Sequence, residues 1–147
     1  MRHIRIQTDA IDTGAELARL ESLPGGAVAS FTGLVRDDNG LLELELEHYP
    51  GMTEAALAAL VDTACARWPL LGVVLIHRIG PMRLGERIVL VGTASKHRAA
   101  ALAACAFLID RLKTDAPFWK REHFANGQSG WVEAKESDDD AAARWDK

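Results

Sequence analysis

The stretch LLELELEHYPGM, residues 41–52, carries the most regular pattern in the chain. Leu42, Leu44 and Leu46 alternate with Glu43, Glu45 and Glu47. Successive side chains on a strand point to opposite faces, so the pattern predicts a strand with buried leucines and solvated glutamates. Pro50-Gly51 breaks that strand, and Thr53 stands where a helix N-cap is expected. Leu57, Leu60, Val61, Ala64, Cys65 and Trp68 follow at helical spacing up to Pro69.

Reading outward, Ala27 to Val35 is a Val/Phe/Thr-rich strand, and Asp37-Asp38-Asn39-Gly40 is the turn that would pair it with 41–49. Leu71–Ile79 and Glu86–Ala94 form a second hairpin-like pair about Gly80-Pro81. His3 to Gln7 alternates as a short strand, and Asp12 or Thr13 can cap a helix reaching about Ser22. Ser95 can cap a long Ala-rich helix over about 96–113, which Pro117 prevents from continuing past Ala116. Gly130 to Ala134 is a last strand. Hairpin-like pairs outnumber parallel crossovers, so the expected class is α+β with a mainly antiparallel sheet and about three helices. No repeat or linker divides the chain, which gives one domain over 1–136 and an acidic, flexible tail over 137–147.

Composition narrows the function. The 147 residues suit one domain, and 48% hydrophobic with 26% charged residues is ordinary for a soluble globular protein. The longest apolar run, Ala99 to Ile109, is too short to cross a bilayer, and MRHIRIQTD alternates without a signal-peptide core. Cys65 and Cys105 stand far apart with no CxxC partner, so a reducing cytoplasm is the expected location. A net charge of −4 argues against nucleic acid and anionic membrane as partners. Yet six Lys/Arg fall between Ser95 and Arg121 against two acids, Asp110 and Asp115. A basic stretch in an acidic protein suits a small anion; a solvated helix face is the plainer reading.

Three groups could carry chemistry. Ser95-Lys96-His97-Arg98 lies where a strand meets a helix N-terminus, whose free N–H groups and dipole favour an anion. A basic pair is unhelpful to a helix there, and a bound anion explains it, with Arg98 giving bidentate contacts and His97 a directional donor. Lys113 and Lys120 flank Thr-Asp-Ala-Pro-Phe-Trp; two amines close together in a pocket lower each other's pKa, although two surface lysines are the simpler account. Phe31-Thr32-Gly33-Leu34-Val35-Arg36 puts a glycine that permits close approach before an arginine that can reach an anion, or else forms a bulge with an edge charge. His48 reads as part of a turn and His77 as a satisfied strand histidine. The histidines lack zinc-site spacing, and no P-loop, GxGxxG or serine elbow is present.

Seven segments in order then resemble one family: FTGLVR (31–36), LELEHYPGMTE (44–54), RWPL (67–70), IHRIG (76–80), SKHR (95–98), LKTDAPFWKRE (112–122) and WVEAKES (131–137). Together they resemble the large, catalytic subunit of molybdopterin synthase, the MoaE family, over nearly the whole chain. The resemblance implies an α/β-hammerhead fold and a sulfurtransferase. Such an enzyme converts cyclic pyranopterin monophosphate to molybdopterin, with sulfur from the C-terminal thiocarboxylate of a small ubiquitin-like MoaD-type subunit. It implies a homodimer at the centre of a heterotetramer, and no cofactor and no metal. Carried onto this sequence, Arg36, His97 and Arg98 would hold the pterin and its cyclic phosphate, with a contribution across the dimer interface allowed. Lys113 would be the catalytic amine and Lys120 would assist proton transfer; Arg121 would line the same pocket, and Glu122 would orient a lysine or relay a proton. Where relatives often place Lys, this chain has Leu34, so Leu34 and Val35 could contact substrate only through their backbone. Lys135 stands where Arg is common. A stand-alone anion-binding module and a scaffold that only docks a ubiquitin-like protein remain rival readings. The first makes both lysines replaceable; the second makes Arg36, His97 and Arg98 replaceable.

Overall fold

The computed structural model describes residues 1–36, 40–127, 129–132 and 142–146, except the side chains of Trp131, Val132 and Arg144. In chain order the elements are β1 (Arg2–Gln7), α1 (Thr13–Glu21), β2 (Ala27–Leu34), β3 (Leu41–His48), α2 (Met52–Arg67), β4 (Leu70–Arg78), β5 (Gly80–Arg83), β6 (Arg87–Ser95), α3 (Arg98–Asp115), β7 (Phe118–Phe124), β8 (Ser129–Val132) and a 3-10 turn (Arg144–Asp146). The class is α+β, as the strand pattern predicts, but the strands divide into two four-stranded sheets.

The first sheet has the order β1-β4-β6-β2, with β1 parallel to β4 and the other pairs antiparallel. Val73 and Leu75 of β4 pack against α2 and α3, while Val74 and Ile76 pack against α1. Helices cover both faces, and so the Val-Val-Leu-Ile run of β4 is apolar without alternation. Leu75, Leu90 and Leu108 are wholly buried here, each stabilising the fold by about 2 kcal/mol. The second sheet, β5-β3-β7-β8, is antiparallel throughout. Its inner face gathers Leu41, Leu44, Leu46 and Met82 around Val35.

Several expectations are corrected. Residues 27–35 do not pair with 41–49: β2 lies against β6, from Ala27↔Ser95 to Leu34↔Arg87. A register shift at Gly33/Leu34 turns the chain out of the first sheet, and Val35 enters the core of the second. A Cβ at position 33 would lie 2.8 Å from Val89 Cγ1, so the bulge needs glycine. Leu42 is 57% exposed rather than inward, because a second shift between Leu41 and Glu43 gives its place to Leu41. Gly80-Pro81 opens the strand β5 instead of a simple turn. Ser95 ends β6, its hydroxyl donating to Pro69 O at 2.9 Å, and the helix begins two residues later with His97 as N-cap. Thr53 is not the N-cap of α2; Gly51 is, at φ +85°, and Glu54 Oε2 accepts the Gly51 N–H. Asp12 does cap α1, accepting the Ala15 N–H at 3.0 Å.

At the chain's end, Ala142 is buried and Trp145 packs edge-on against Trp68 and Phe107. Trp145 Nε1 donates to Asp110, and the Arg67 guanidinium lies over the three rings. The Asp37-Asp38-Asn39 turn, Lys135 and residues 137–141 fall outside the described residues.

Candidate functional site

Helix α3 runs antiparallel to β6: Thr93 Oγ1 donates to Ala101 O, and Cys105 Sγ lies 3.8 Å from Val91 O. Its C-terminus therefore comes down at the Arg87 end of the sheet, where β2 finishes, and its N-terminus stands at the Ser95 end, where β2 begins. Fifteen residues of helix separate Arg98 from Lys113, about 22 Å along the axis. The basic residues thus sort into two groups at opposite ends of the fold.

Lys96, His97 and Arg98 form the first group, all exposed. His97 is extended, φ −129° and ψ 150°, its side chain makes no cap hydrogen bond, and no acid lies in the first turn. The opening N–H groups and the positive end of the dipole are left facing outward beside three basic side chains. That is a ready anion seat.

The second group holds Arg36, Lys113, Lys120 and Glu122. Lys113 is exposed in the last turn of α3, where the dipole favours a cation. Pro117 stops the helix as expected, with Ala116 extended, and the chain turns at once into β7. Lys120 is opposite Leu46 and Glu122 opposite Leu44 in the β3–β7 register, so both project on the inner face of the second sheet. Lys120 is half-buried there. Arg36 follows Val35, whose side chain belongs to that same inner cluster.

The remaining residues do not join these groups. Arg121 alternates to the outer face, opposite Glu45, with Ser129 Oγ 3.5 Å from its guanidinium. Leu34 is exposed at the end of β2, and Val35 is buried. The Val35 backbone is already engaged, its N–H donating to Glu86 O at 2.9 Å and its C=O accepting from the Gly85 N–H at 2.8 Å.

Two histidines stand closer to the lysine end than the sequence shows. His48 lies on the inner face two residues from Leu46, with Nε2 3.4 Å from Glu54 and a buried Nδ1 lacking a partner among the described residues. His77 is wholly buried, and burial pushes its pKa down to about 4, so the ring is neutral. Its Nδ1–H donates to Arg78 O at 2.8 Å, and it stacks on Phe118 with centroids 3.8 Å apart. Only the IHRIG and LEHYPG strings could have flagged them, since neither has metal-ligand spacing. Among the described residues no cluster of His, Cys, Asp and Glu is placed to hold a metal ion. Burial pushes the Cys105 thiol up to about 11, which keeps it unreactive.

An α+β chain with an anion seat at one end of its long helix and a lysine-bearing strand at the other has close counterparts. The family described as "MoaE protein" matches residues 6–115. A molybdopterin synthase catalytic subunit from Ralstonia nicotianae is 53% identical over 150 residues, covering 99% of this chain and 85% of the relative. A solved structure titled a molybdopterin biosynthesis MoaE protein from Burkholderia ambifaria superposes with a TM-score of 0.85 at 47% identity, covering 100% of this chain and 99% of that one. A complex of subunits 1 and 2 of molybdopterin-converting factor from Helicobacter pylori gives a TM-score of 0.69 at 27% identity, with 90% of each chain covered. The chain belongs to the MoaE family.

Proposed function

We infer that this chain is the catalytic subunit of a molybdopterin synthase. It transfers sulfur from the C-terminal thiocarboxylate of a small ubiquitin-like subunit to cyclic pyranopterin monophosphate, and the product is the dithiolene of molybdopterin. The related catalytic subunits and the two-subunit complex support both the activity and the partner. One observation on this chain carries the reading: a lysine at a helix C-terminus and a half-buried lysine on the adjoining strand frame one end of the fold, beside Glu122 and Arg36.

Thiocarboxylate and cyclic phosphate are both anions, which is why an acidic protein concentrates cations at two places. The thiocarboxylate sulfur attacks a side-chain carbon of the pterin as that carbon's bond to oxygen breaks, and the small subunit is joined to the pterin through an acyl–sulfur bond. The oxygen leaves with the opened cyclic phosphate for one sulfur and as water for the other. Water then cleaves the acyl–sulfur bond, leaving sulfur on the pterin and a glycine carboxylate on the spent subunit. A second charged subunit supplies the second sulfur. Lys113 acts as the catalytic amine, Lys120 moves protons and stabilises the negative charge that develops on the acyl oxygen, and Glu122 orients Lys120. Neither step exchanges electrons with a cofactor, and no cysteine of this chain carries sulfur.

His97 and Arg98 cannot reach this end within one copy, about 22 Å along the helix from Lys113. They hold the phosphate of a pterin bound at a partner copy's lysine end, so the complete site needs a homodimer, at the centre of a heterotetramer with two small subunits. Among the described residues no helix is long and apolar enough to cross a membrane. The chain works in the cytoplasm, where thiocarboxylate and free thiols survive. Arg121, on the outer face, has no part in the lysine pocket.

Reconstitution tests the activity. The purified protein is mixed with a thiocarboxylated MoaD-type subunit and cyclic pyranopterin monophosphate, and molybdopterin is assayed for wild type and Lys113→Ala. Product from wild type and almost none from the variant is expected. No product from wild type, with the small subunit still bound, would leave only a docking scaffold.

A further inference from the structure

The corner between the two lysines, Pro117-Phe118-Trp119, is gripped residue by residue from three different places. The Thr53 hydroxyl, wholly buried at the start of α2, donates to Pro117 O at 2.9 Å and accepts the Tyr49 N–H at 3.0 Å. The His77 ring on β4 lies against Phe118 at 3.8 Å and 17°. Tyr49, in the turn between β3 and α2, stacks on Trp119 at 5.9 Å and 15°. Two of these contacts use polar groups from the interior, where a hydroxyl or an imidazole costs stability unless its bonds are made. Leucine at 77 would fill the space with no imidazole to satisfy, whereas valine at 53 would leave the Tyr49 N–H and the Pro117 carbonyl without their shared partner, so both polar side chains are committed to holding this corner.

We propose that Thr53 and His77 are positioning residues for the sulfur-transfer reaction, fixing the Pro117–Trp119 corner and through it the placement of Lys120 relative to Lys113. The proposal rests on the functional reading above. Lys120 is the next residue after the clamped corner, and Lys113 is four residues before it, in a helix whose last turn ends at Asp115. Only Ala116 and Pro117 lie between the helix and β7, so the corner, from Pro117 into the first residues of β7, carries the short covalent path that joins the two amines. A two-group proton transfer loses rate steeply with misplacement: about 1 Å can cost about a hundredfold. Tyr49 contributes less, because its ring is half-exposed and its stack on Trp119 is wider.

The test uses the reconstituted complex and separates kcat from KM. Thr53→Val keeps the shape and removes the hydroxyl; Thr53→Ser keeps the hydroxyl. Thr53→Val is expected to lower kcat about tenfold with KM for the pterin within about twofold, and Thr53→Ser to stay near wild type. His77→Leu is expected to behave as Thr53→Val. Cys105→Ala, a buried change on α3 away from the corner, supplies a control of reduced melting temperature with kcat retained. Wild-type kcat in Thr53→Val, or an equal fall in Cys105→Ala, would overturn the proposal. If Thr53→Val does not fold, Tyr49→Leu at its half-exposed site decides: about a threefold loss of kcat is expected, and none would overturn it.

A wild-type complex that makes no product would count against the functional reading alone. The corner is then judged by acetic anhydride labelling read by peptide mass spectrometry. Lys113 and Lys120 are expected to change rate about threefold in Thr53→Val while Lys96 does not, and unchanged rates at both lysines would overturn the proposal.

Discussion

The two ends of α3 differ in how tightly they are built. At the N-terminal end, Lys96, His97 and Arg98 are all exposed, and the N-cap side chain makes no capping bond. At the C-terminal end, the chain leaves the helix through a corner held by Thr53, His77 and Tyr49 and runs at once into a paired strand. Holding an anion by charge and backbone N–H groups tolerates side-chain movement, because the attraction falls off gently with distance. Moving a proton between fixed groups does not. The loose end fits binding and the rigid end fits chemistry.

The largest expected effect lies at the rigid end. Lys113→Ala should lower the rate of molybdopterin formation about a hundredfold or more, as removal of a proton-transferring group does. Because Lys113 is exposed, its melting temperature should stay close to wild type, which calorimetry checks. A full rate in this variant would move the catalytic work to Lys120. Arg98→Ala should instead raise KM for the pterin about tenfold, the scale of one charge-assisted contact, and leave kcat nearly unchanged. A loss of kcat with unchanged KM would erase the distinction between the ends.

Next in size is the pH dependence of folding. His77 has a pKa of about 4 in the folded protein against an ordinary value of 6.5. Folding therefore favours the neutral ring. The stability it confers is complete above about pH 6.5 and falls as the pH drops towards 4, by up to about 3 kcal/mol. Urea unfolding at pH 7 and pH 4.5 should show the fall, and His77→Phe should flatten it while keeping a ring on Phe118. The smallest effect belongs to Arg121→Ala. Facing Glu45 and Ser129 on the outer side of β7, it should change activity less than about threefold and stability by less than about 1 kcal/mol. A large loss of activity would put the working face on the other side of the strand.

The sequence discloses these regions unequally, for physical reasons. The alternation in 41–47 and the apolar runs at 71–79 and 86–94 reflect burial, which repeats along a strand, and all three are strands. Pro117 and Asp12 act on their immediate neighbours, and both do what local rules require. The partner of β2 is not local: the Asp-Asp-Asn-Gly signal favours a hairpin, but a single bulge at Gly33 sends the two strands into different sheets. Strand β7 was hidden because Lys120 and Glu122 occupy inner-face positions where burial alone would put apolar residues. The segment FWKRE therefore reads as a motif and not as a strand. Thr53 satisfies a capping rule on paper, yet its hydroxyl is committed to a carbonyl 64 residues away. The spacing of Lys113 and Lys120 says nothing about a corner between them, and the distance from Arg98 to Lys113 emerges only once both are seen on one straight helix.

That separation makes the central claim testable in one mixing experiment. Arg98→Ala and Lys113→Ala proteins are each purified, then combined under conditions that exchange subunits, with the mixed dimers verified by native mass spectrometry. With pterin held well below its KM, where Arg98→Ala keeps about a tenth of the wild-type rate, a site shared between copies leaves one intact site in each mixed dimer, so product formation should recover to about a quarter of the wild-type rate. A rate no greater than the sum of the two parents measured at that pterin concentration, with mixed dimers present, would contradict a site assembled from opposite ends of two helices.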